Sequence, residues 1–346
     1  TILKDLHKLK EAEIVAREAI TLNPNFAEAH YNLGNILKDI GKSKDAEIHI
    51  RKAIGLKPDF AEAYLNLGVI LKDLKQPKEA EIIYSKAISL KPNYTAALMN
   101  RWQLNFDQRE FDKALRDSDS CNTKESRVMS LITLYALGNI EEIYKRIAKT
   151  SNLDEENIRM AAFSSFIAEQ ENKATANNFC KNPLSFLYFS NINMHHKNHI
   201  DFIQEITTEL YQLKALWEPK KILHNGFQSP SNINLFSNSS ENISKLKSII
   251  LKEIDKYFLK FRDDSCTYIQ KWPLIKNLKG WHVILKKQGY QTAHIHPTGW
   301  LSGVIYLKIV PPLSKNEGAI EFSINGDIYK NKTSSKLTYQ PKLGDM

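Results

Sequence analysis

Two histidines, His294 and His296, stand one residue apart in the stretch Gly289 to Leu307, GYQTAHIHPTGWLSGVIYL. The stretch reads as a β-strand, and alternate side chains of a strand project from the same face, so both imidazoles are expected to point one way. Neutral imidazole is a ligand for iron or zinc, and a chelating His-x-His pair leaves most coordination positions to other groups. A third ligand has to come from elsewhere, and no histidine follows His296. The same residues also admit two imidazoles packed inside a sandwich without metal. A second group, His195, His196 and His199 in NMHHKNHIDF, places three imidazoles within five residues, and His195 and His199 would share a helix face. No neighbouring Glu, Asp or Cys completes a recognisable zinc pattern there, so a solvated loop-to-helix entry is expected.

The composition bounds what surrounds these residues. The 346 residues carry 48 Lys plus Arg against 39 Asp plus Glu, a net charge of +9. The cations are interspersed with acids and not gathered into an arginine-rich tract, which argues against nucleic acid as a partner. Cys121, Cys180 and Cys266 form no C-x-x-C pair and suit a reducing compartment. No apolar run reaches 18 residues, so no membrane partner is expected and the location reads as cytoplasmic. The first residue is Thr, and the pattern below begins midway through a unit, so the sequence reads as shortened at its start.

The elements that position the histidines begin with a repeat. NPNFAEAHYNLGNILKDIGKSKDAEIHIRKAIGLKP recurs as KPDFAEAYLNLGVILKDLKQPKEAEIIYSKAISLKP, with Pro24, Pro58 and Pro92 spaced by 34 residues. Ala29, Leu33, Gly34 and Leu37, then Ala46, Ile50, Ala53 and Ile54, fall at helical spacing, and Gly34 lets paired helices approach closely. The pattern resembles the tetratricopeptide repeat family, which implies helix pairs stacked into a solenoid with a concave groove for a protein or peptide. Asn32, Asn66 and Asn100 recur in register with the Leu-Gly pair. They read either as a row of hydrogen-bonding side chains for an extended backbone or as caps and polar surface. A third unit, MNRWQLNFDQREFDKAL, lacks Leu-Gly but keeps Ala114 and the apolar spacing, and is expected to pack as a repeat. Residues 1–118 are assigned to these repeats and 119–182 to degenerate helical repeats. The segment 183–346 is a separate domain in which two helices buttress a β-region.

From Tyr268 onward the pattern alternates: WHVILKKQGY, QTAHIHP, LSGVIYLKIV, GAIEFSI and SKLTYQP read as about five strands of a jelly-roll. AHIHPTGWLSGVIYLKI followed by NEGAIEF resembles the double-stranded β-helix of the 2-oxoglutarate/Fe(II)-dependent oxygenases, notably the prolyl-hydroxylase-like group joined to tetratricopeptide arrays. The fold class is therefore multidomain: an all-α solenoid, then an α+β region with an incomplete jelly-roll. The resemblance implies His294 as an iron ligand and His296 in the place usually held by Asp. It further implies Ser302 and Tyr306 facing the co-substrate, Glu317 and Gly318 in a turn, and Fe(II) and 2-oxoglutarate as cofactors. The cupins use His-x-His with a Glu four residues on, where Trp300 stands here. The family pattern calls for a further His and a basic residue after the last strand, which places them past Met346. The leading function is a non-haem iron oxygenase whose repeats bind protein or substrate. A scaffold without catalysis is the alternative. A relative of repeat-linked glycosyltransferases ranks last, because residues 183–346 contain no glycine-rich nucleotide-sugar motif.

Overall fold

The 34-residue period is realised as helix pairs: α1 (Ile2–Leu22), α2 (Ala27–Asp39), α3 (Ser43–Leu56), α4 (Ala61–Asp73), α5 (Pro77–Leu90), α6 (Thr95–Asp107) and α7 (Phe111–Asp119). The computed structural model describes residues 2–217, 222–230, 233–237, 240–294, 296, 298–311, 316–326, 328–331 and 333–346, with side chains from residue 9 onward. Two units divide the chain, Thr1–Ile143 and Tyr144–Met346.

In the first unit α2 packs on α3, α4 on α5 and α6 on α7. The consensus glycines explain the closeness of the first two pairs. A Cβ on Gly34 would lie 2.6 Å from Ile50, and one on Gly68 would lie 2.4 Å from the Tyr84 ring. Leu33, Leu37, Leu67 and Leu71 are at most 1% exposed, and burying each stabilises the unit by about 1.5–3 kcal/mol. The third pair solves the same contact in reverse. Trp102 holds the position of Gly34 and Gly68, while Ser118 holds that of Ile50 and Tyr84, so large and small residues exchange helices. Trp102 is 1% exposed and donates its Nε1–H to Thr133 Oγ1 at 3.0 Å. Arg101, in the place of the consensus leucine, forms a forked ion pair with buried Asp117. The helices α8 (Lys124–Ala136) and α9 (Ile140–Thr150) follow, α8 opening on a capping box between Thr123 and Ser126.

In the second unit α10 (Ile158–Gln170) precedes α11 (His199–Gln212), the strands β1 (Leu216–Trp217) and β2 (Leu223–Gln228), α12 (Glu241–Phe261), the short α13 (Thr267–Gln270), and β3 (Val283–Gln291), β4 (Ile320–Ser323) and β5 (Lys336–Tyr339). Phe202, Ile206 and Leu210 of α11 meet Ile243, Leu246 and Ile249 of α12, and Ile305, Leu307 and Met346 close over them. A second, aromatic core joins Phe179, Tyr257, Tyr268, Trp272 and Trp300. The strands form an antiparallel sheet in the order β1-β2-β3 and a separate antiparallel pair β4-β5.

Three of the expected strands appear, and two stretches differ. Residues 292–294 and 296 are not strand, because pairing runs out: Gln291 faces Leu223, the first residue of β2, and Thr292 N–H reaches Ile222 O at 2.8 Å as the last ladder bond. Residues 301–310 also lie outside the assigned strands. Tyr306 is nevertheless held in a ladder-like contact, donating its N–H to Asp345 O at 2.9 Å and accepting from Gly344 N at 2.7 Å. The same C-terminal segment pairs on its other side with Ser190 and Ile192.

Candidate functional site

His294 lies just past the end of β3, half-buried, and its Nδ1 is 2.7 Å from the carbonyl oxygen of Thr292. A carbonyl can only accept, so Nδ1 carries the hydrogen and Nε2 keeps a bare lone pair. That is the arrangement in which histidines bind metals, one nitrogen on the ion and the other donating to a carbonyl. The His296 ring stands edge-on to that of His294, centroids 4.9 Å apart and planes at 83°, and it also meets Trp281 at 5.3 Å. With metal–nitrogen bonds of about 2.0–2.1 Å, two ring centres at right angles around one ion would lie about 4.5 Å apart. The observed 4.9 Å is near that value and is equally an ordinary edge-to-face ring contact. Among the described residues no group of three His, Cys, Asp or Glu side chains comes together to hold a metal. Ile295 and Pro297, between and after the two histidines, lie outside the described residues.

The segment carrying Ser302 and Tyr306 is fixed at both ends. Trp300 donates its Nε1–H to Tyr268 O at 3.1 Å and stacks on the Tyr268 ring, while Ile305 and Leu307 sit on the α11–α12 core. Residues 301–304 between these anchors are exposed, Ser302 among them. Tyr306 is half-buried, and burial, then the Asp345 carboxylate, push its phenol up, so it stays a neutral hydrogen-bond donor at pH 7. Burial disfavours ionised Asp345, but hydrogen bonds from Asn191, Tyr339 and the Lys342 amide outweigh it and hold the carboxyl below its ordinary value. The Glu317–Gly318 turn is present, with Gly318 at φ 72°.

Asn32, Asn66 and Asn100 occupy one register position on α2, α4 and α6. Asn66 donates to Tyr31 Oη at 3.0 Å and to Asn35 Oδ1 at 2.7 Å on the preceding repeat, and Asn100 donates to Ala96 O at 2.8 Å within its own helix. Asn32 is exposed. The three share a register, and Asn32 is the most exposed of them.

His195, His196 and His199, at or just before the start of α11, form no metal-holding group among the described residues, and His195 corrects the expectation of a solvated entry. Its side chain is 9% exposed and its Nε2 lies 2.6 Å from Glu253 Oε1, while Tyr188 Oη donates to the other oxygen at 2.9 Å. His196 stacks on Phe202. Glu253 was missed at the sequence level, although Ile249, Glu253 and Tyr257 share one face of α12 and the glutamate interrupts an apolar stripe. Burial opposes its ionisation, yet contacts from Lys256, Tyr188 and His195 bring its carboxyl down to about 2. His282 was missed as well. It is 8% exposed, burial lowers its pKa, and neither ring nitrogen meets a hydrogen-bond partner among the described residues.

Comparison with known proteins gives three family matches. Residues 15–48 and 61–94 match tetratricopeptide repeat models, and residues 279–346 match a family described as "Putative 2OG-Fe(II) oxygenase". No curated protein matches the chain. Among solved structures, the crystal structure of MamA protein is similar at 21% identity, over 45% of this chain and 88% of that one, with a TM-score of 0.40. YrrB, described as a TPR protein with an unusual peptide-binding site, is similar at 21% identity over 46% and 85%, TM-score 0.38. MamA 41-end from Desulfovibrio magneticus RS-1 gives 15% identity over 42% and 85%, TM-score 0.37. The chain thus carries tetratricopeptide repeats in its N-terminal part and an oxygenase-family segment at its C-terminal side, where a few antiparallel strands follow the helical solenoid.

Proposed function

We propose that the chain acts as a non-haem iron, 2-oxoglutarate-dependent oxygenase that works in the cytoplasm and whose repeats bind a protein or peptide. His294 and His296 serve as iron ligands, Ser302 and Tyr306 face the co-substrate, and the Asn32, Asn66 and Asn100 row receives the partner's backbone. The observation that carries the reading is the 2.7 Å contact of His294 Nδ1 with the Thr292 carbonyl, which puts the hydrogen of a neutral ring on Nδ1 and makes Nε2 the ligating nitrogen, with the His296 ring alongside. The oxygenase-family match over residues 279–346 spans the same histidines. When bound, iron with 2-oxoglutarate and dioxygen supplies the oxidising chemistry for hydroxylation of a substrate. The chain's own residues do the rest. Thr292 orients His294, Trp281 limits the rotation of the His296 ring, and the anchors at Trp300 and Ile305 set where Ser302 and Tyr306 stand. Tyr306, kept neutral, offers an O–H to a carboxylate oxygen.

The test is thermodynamic coupling. Ligands that share a site alter each other's affinity by the same factor. Anaerobic equilibrium dialysis of Fe(II) with and without 2-oxoglutarate is expected to show tighter iron binding with the co-substrate, and a smaller effect in Ser302→Ala and Tyr306→Phe. Equal iron binding with and without 2-oxoglutarate would refute the co-substrate assignment.

A further inference from the structure

Ile14 on α1, Ile48 on α3 and Ile82 on α5 stand 34 residues apart and are 57%, 65% and 68% exposed. Isoleucine gains nothing on a solvated helix face, where it is also a poorer helix former than Ala or Lys. Its return at one register in three successive units marks a surface and not a scatter of single exposed residues. Four residues before each isoleucine, one turn along the same face, stand exposed Lys10, Lys44 and Lys78. Four carboxylates alongside are already matched: Glu13 with Arg17 and Lys42, Glu47 and Glu79 with Arg51, Glu81 with Lys113. The three lysines form no ion pair among the described residues. The row stops at α7, where Asp112 and Arg116 hold the corresponding positions.

This face is distinct from the asparagine row. The asparagine-bearing helices touch in succession, α2 with α4 and α4 with α6, whereas α1, α3 and α5 make no contact of that extent with one another among the described residues. Between α3 and the turn into α5 lies a concavity of about 360 Å³ lined by Lys44, Glu47, Ile48, Arg51, Leu74 and Gln76. It has room for an apolar side chain beside Ile48, with Lys44 at its edge.

We propose that the Ile14–Ile48–Ile82 row is a docking surface for an acidic amphipathic helix of a partner protein. The partner's apolar face covers the isoleucines and its carboxylates meet Lys10, Lys44 and Lys78. Charge decides the sign of the partner, since Lys10, Lys44 and Lys78, with exposed Lys52 and Lys86 one turn on, outnumber the unmatched carboxylates Glu18 and Asp45. A helix presents apolar residues at a regular interval along one stripe, as a surface of repeated rungs requires. An anionic membrane fits less well, because Glu13, Glu47, Glu79 and Glu81 run beside the row and would face the lipid charge.

The test uses the full chain and two labelled synthetic helices of equal length with a leucine stripe, one flanked by glutamates and one by lysines, in fluorescence anisotropy. The glutamate helix is expected to bind, more weakly at high salt, and the lysine helix to bind at least tenfold more weakly. Ile14→Ser/Ile48→Ser/Ile82→Ser and Lys10→Glu/Lys44→Glu/Lys78→Glu are each expected to weaken the glutamate helix at least tenfold. All six positions are exposed, and unchanged circular dichroism would show that the fold is kept. Equal binding of both helices, no binding, or binding unaffected by either variant overturns the proposal. So does cosedimentation with phosphatidylserine vesicles in place of helix binding, or dimerisation of the chain that the isoleucine variant abolishes.

Discussion

Thr292 decides which nitrogen of His294 is available, and Glu253 shows the same logic used for stability. Its carboxylate is shared by His195, Tyr188 and Lys256, tying the turn before α11 to α12. The folded carboxyl lies at about 2 against an ordinary value of 4.5. A carboxyl depressed on folding adds stability that is complete above the unfolded value and lost as pH falls through the folded one. Urea unfolding of the second unit is therefore expected to weaken between about pH 4.5 and pH 2. Glu253→Gln should be less stable at pH 7 and should flatten that slope; an unchanged slope would remove Glu253 as its cause.

At the scale of the element, the packing of a helix pair turns on one glycine. Gly68→Ala would drive a methyl into the Tyr84 ring, which is fully buried, and is expected to cost about 1–3 kcal/mol. Gly55, inside α3 with nothing within 4 Å, should respond in the opposite sense, Gly55→Ala stabilising by about 0.5–1 kcal/mol. Chemical denaturation of the two variants separates packing from helix propensity. The first full pair also carries a proton-sharing contact. His30 Nε2 faces the Pro24 carbonyl at 3.1 Å and so bears a hydrogen; its bare Nδ1 accepts from His49 Nδ1 at 3.1 Å. Burial, then His30 and Arg17, lower the His49 pKa against the pull of Asp45. A histidine depressed on folding contributes stability above its unfolded value of about 6.5 that is lost as pH falls below it. The unfolding midpoint of the repeats should drop from pH 7.5 to pH 5.5, and less so in His49→Gln.

Across the whole molecule, the repeats were the most legible part, because a 34-residue period repeats its contacts: Glu28 with Lys57 recurs as Glu62 with Lys91. The exchange of Gly for Trp102 was not legible, since the shrinkage of its partner to Ser118 is visible only once the helices are paired. In the C-terminal part the alternation of 301–310 was read as a strand, and the structure assigns none there, because alternation reports which side chains are covered and not which backbone groups find partners. Glu253 and His282 escaped because a single polar residue in an apolar stretch does not say what it will meet. No described helix is long and apolar enough to cross a membrane.

The central claim is that His294 and His296 bind one iron, and anaerobic titration of Fe(II) into the chain tests it most directly. One equivalent should bind to the wild-type protein, and His294→Ala and His296→Ala should each lose that binding. Retention of wild-type affinity in either variant would contradict the account.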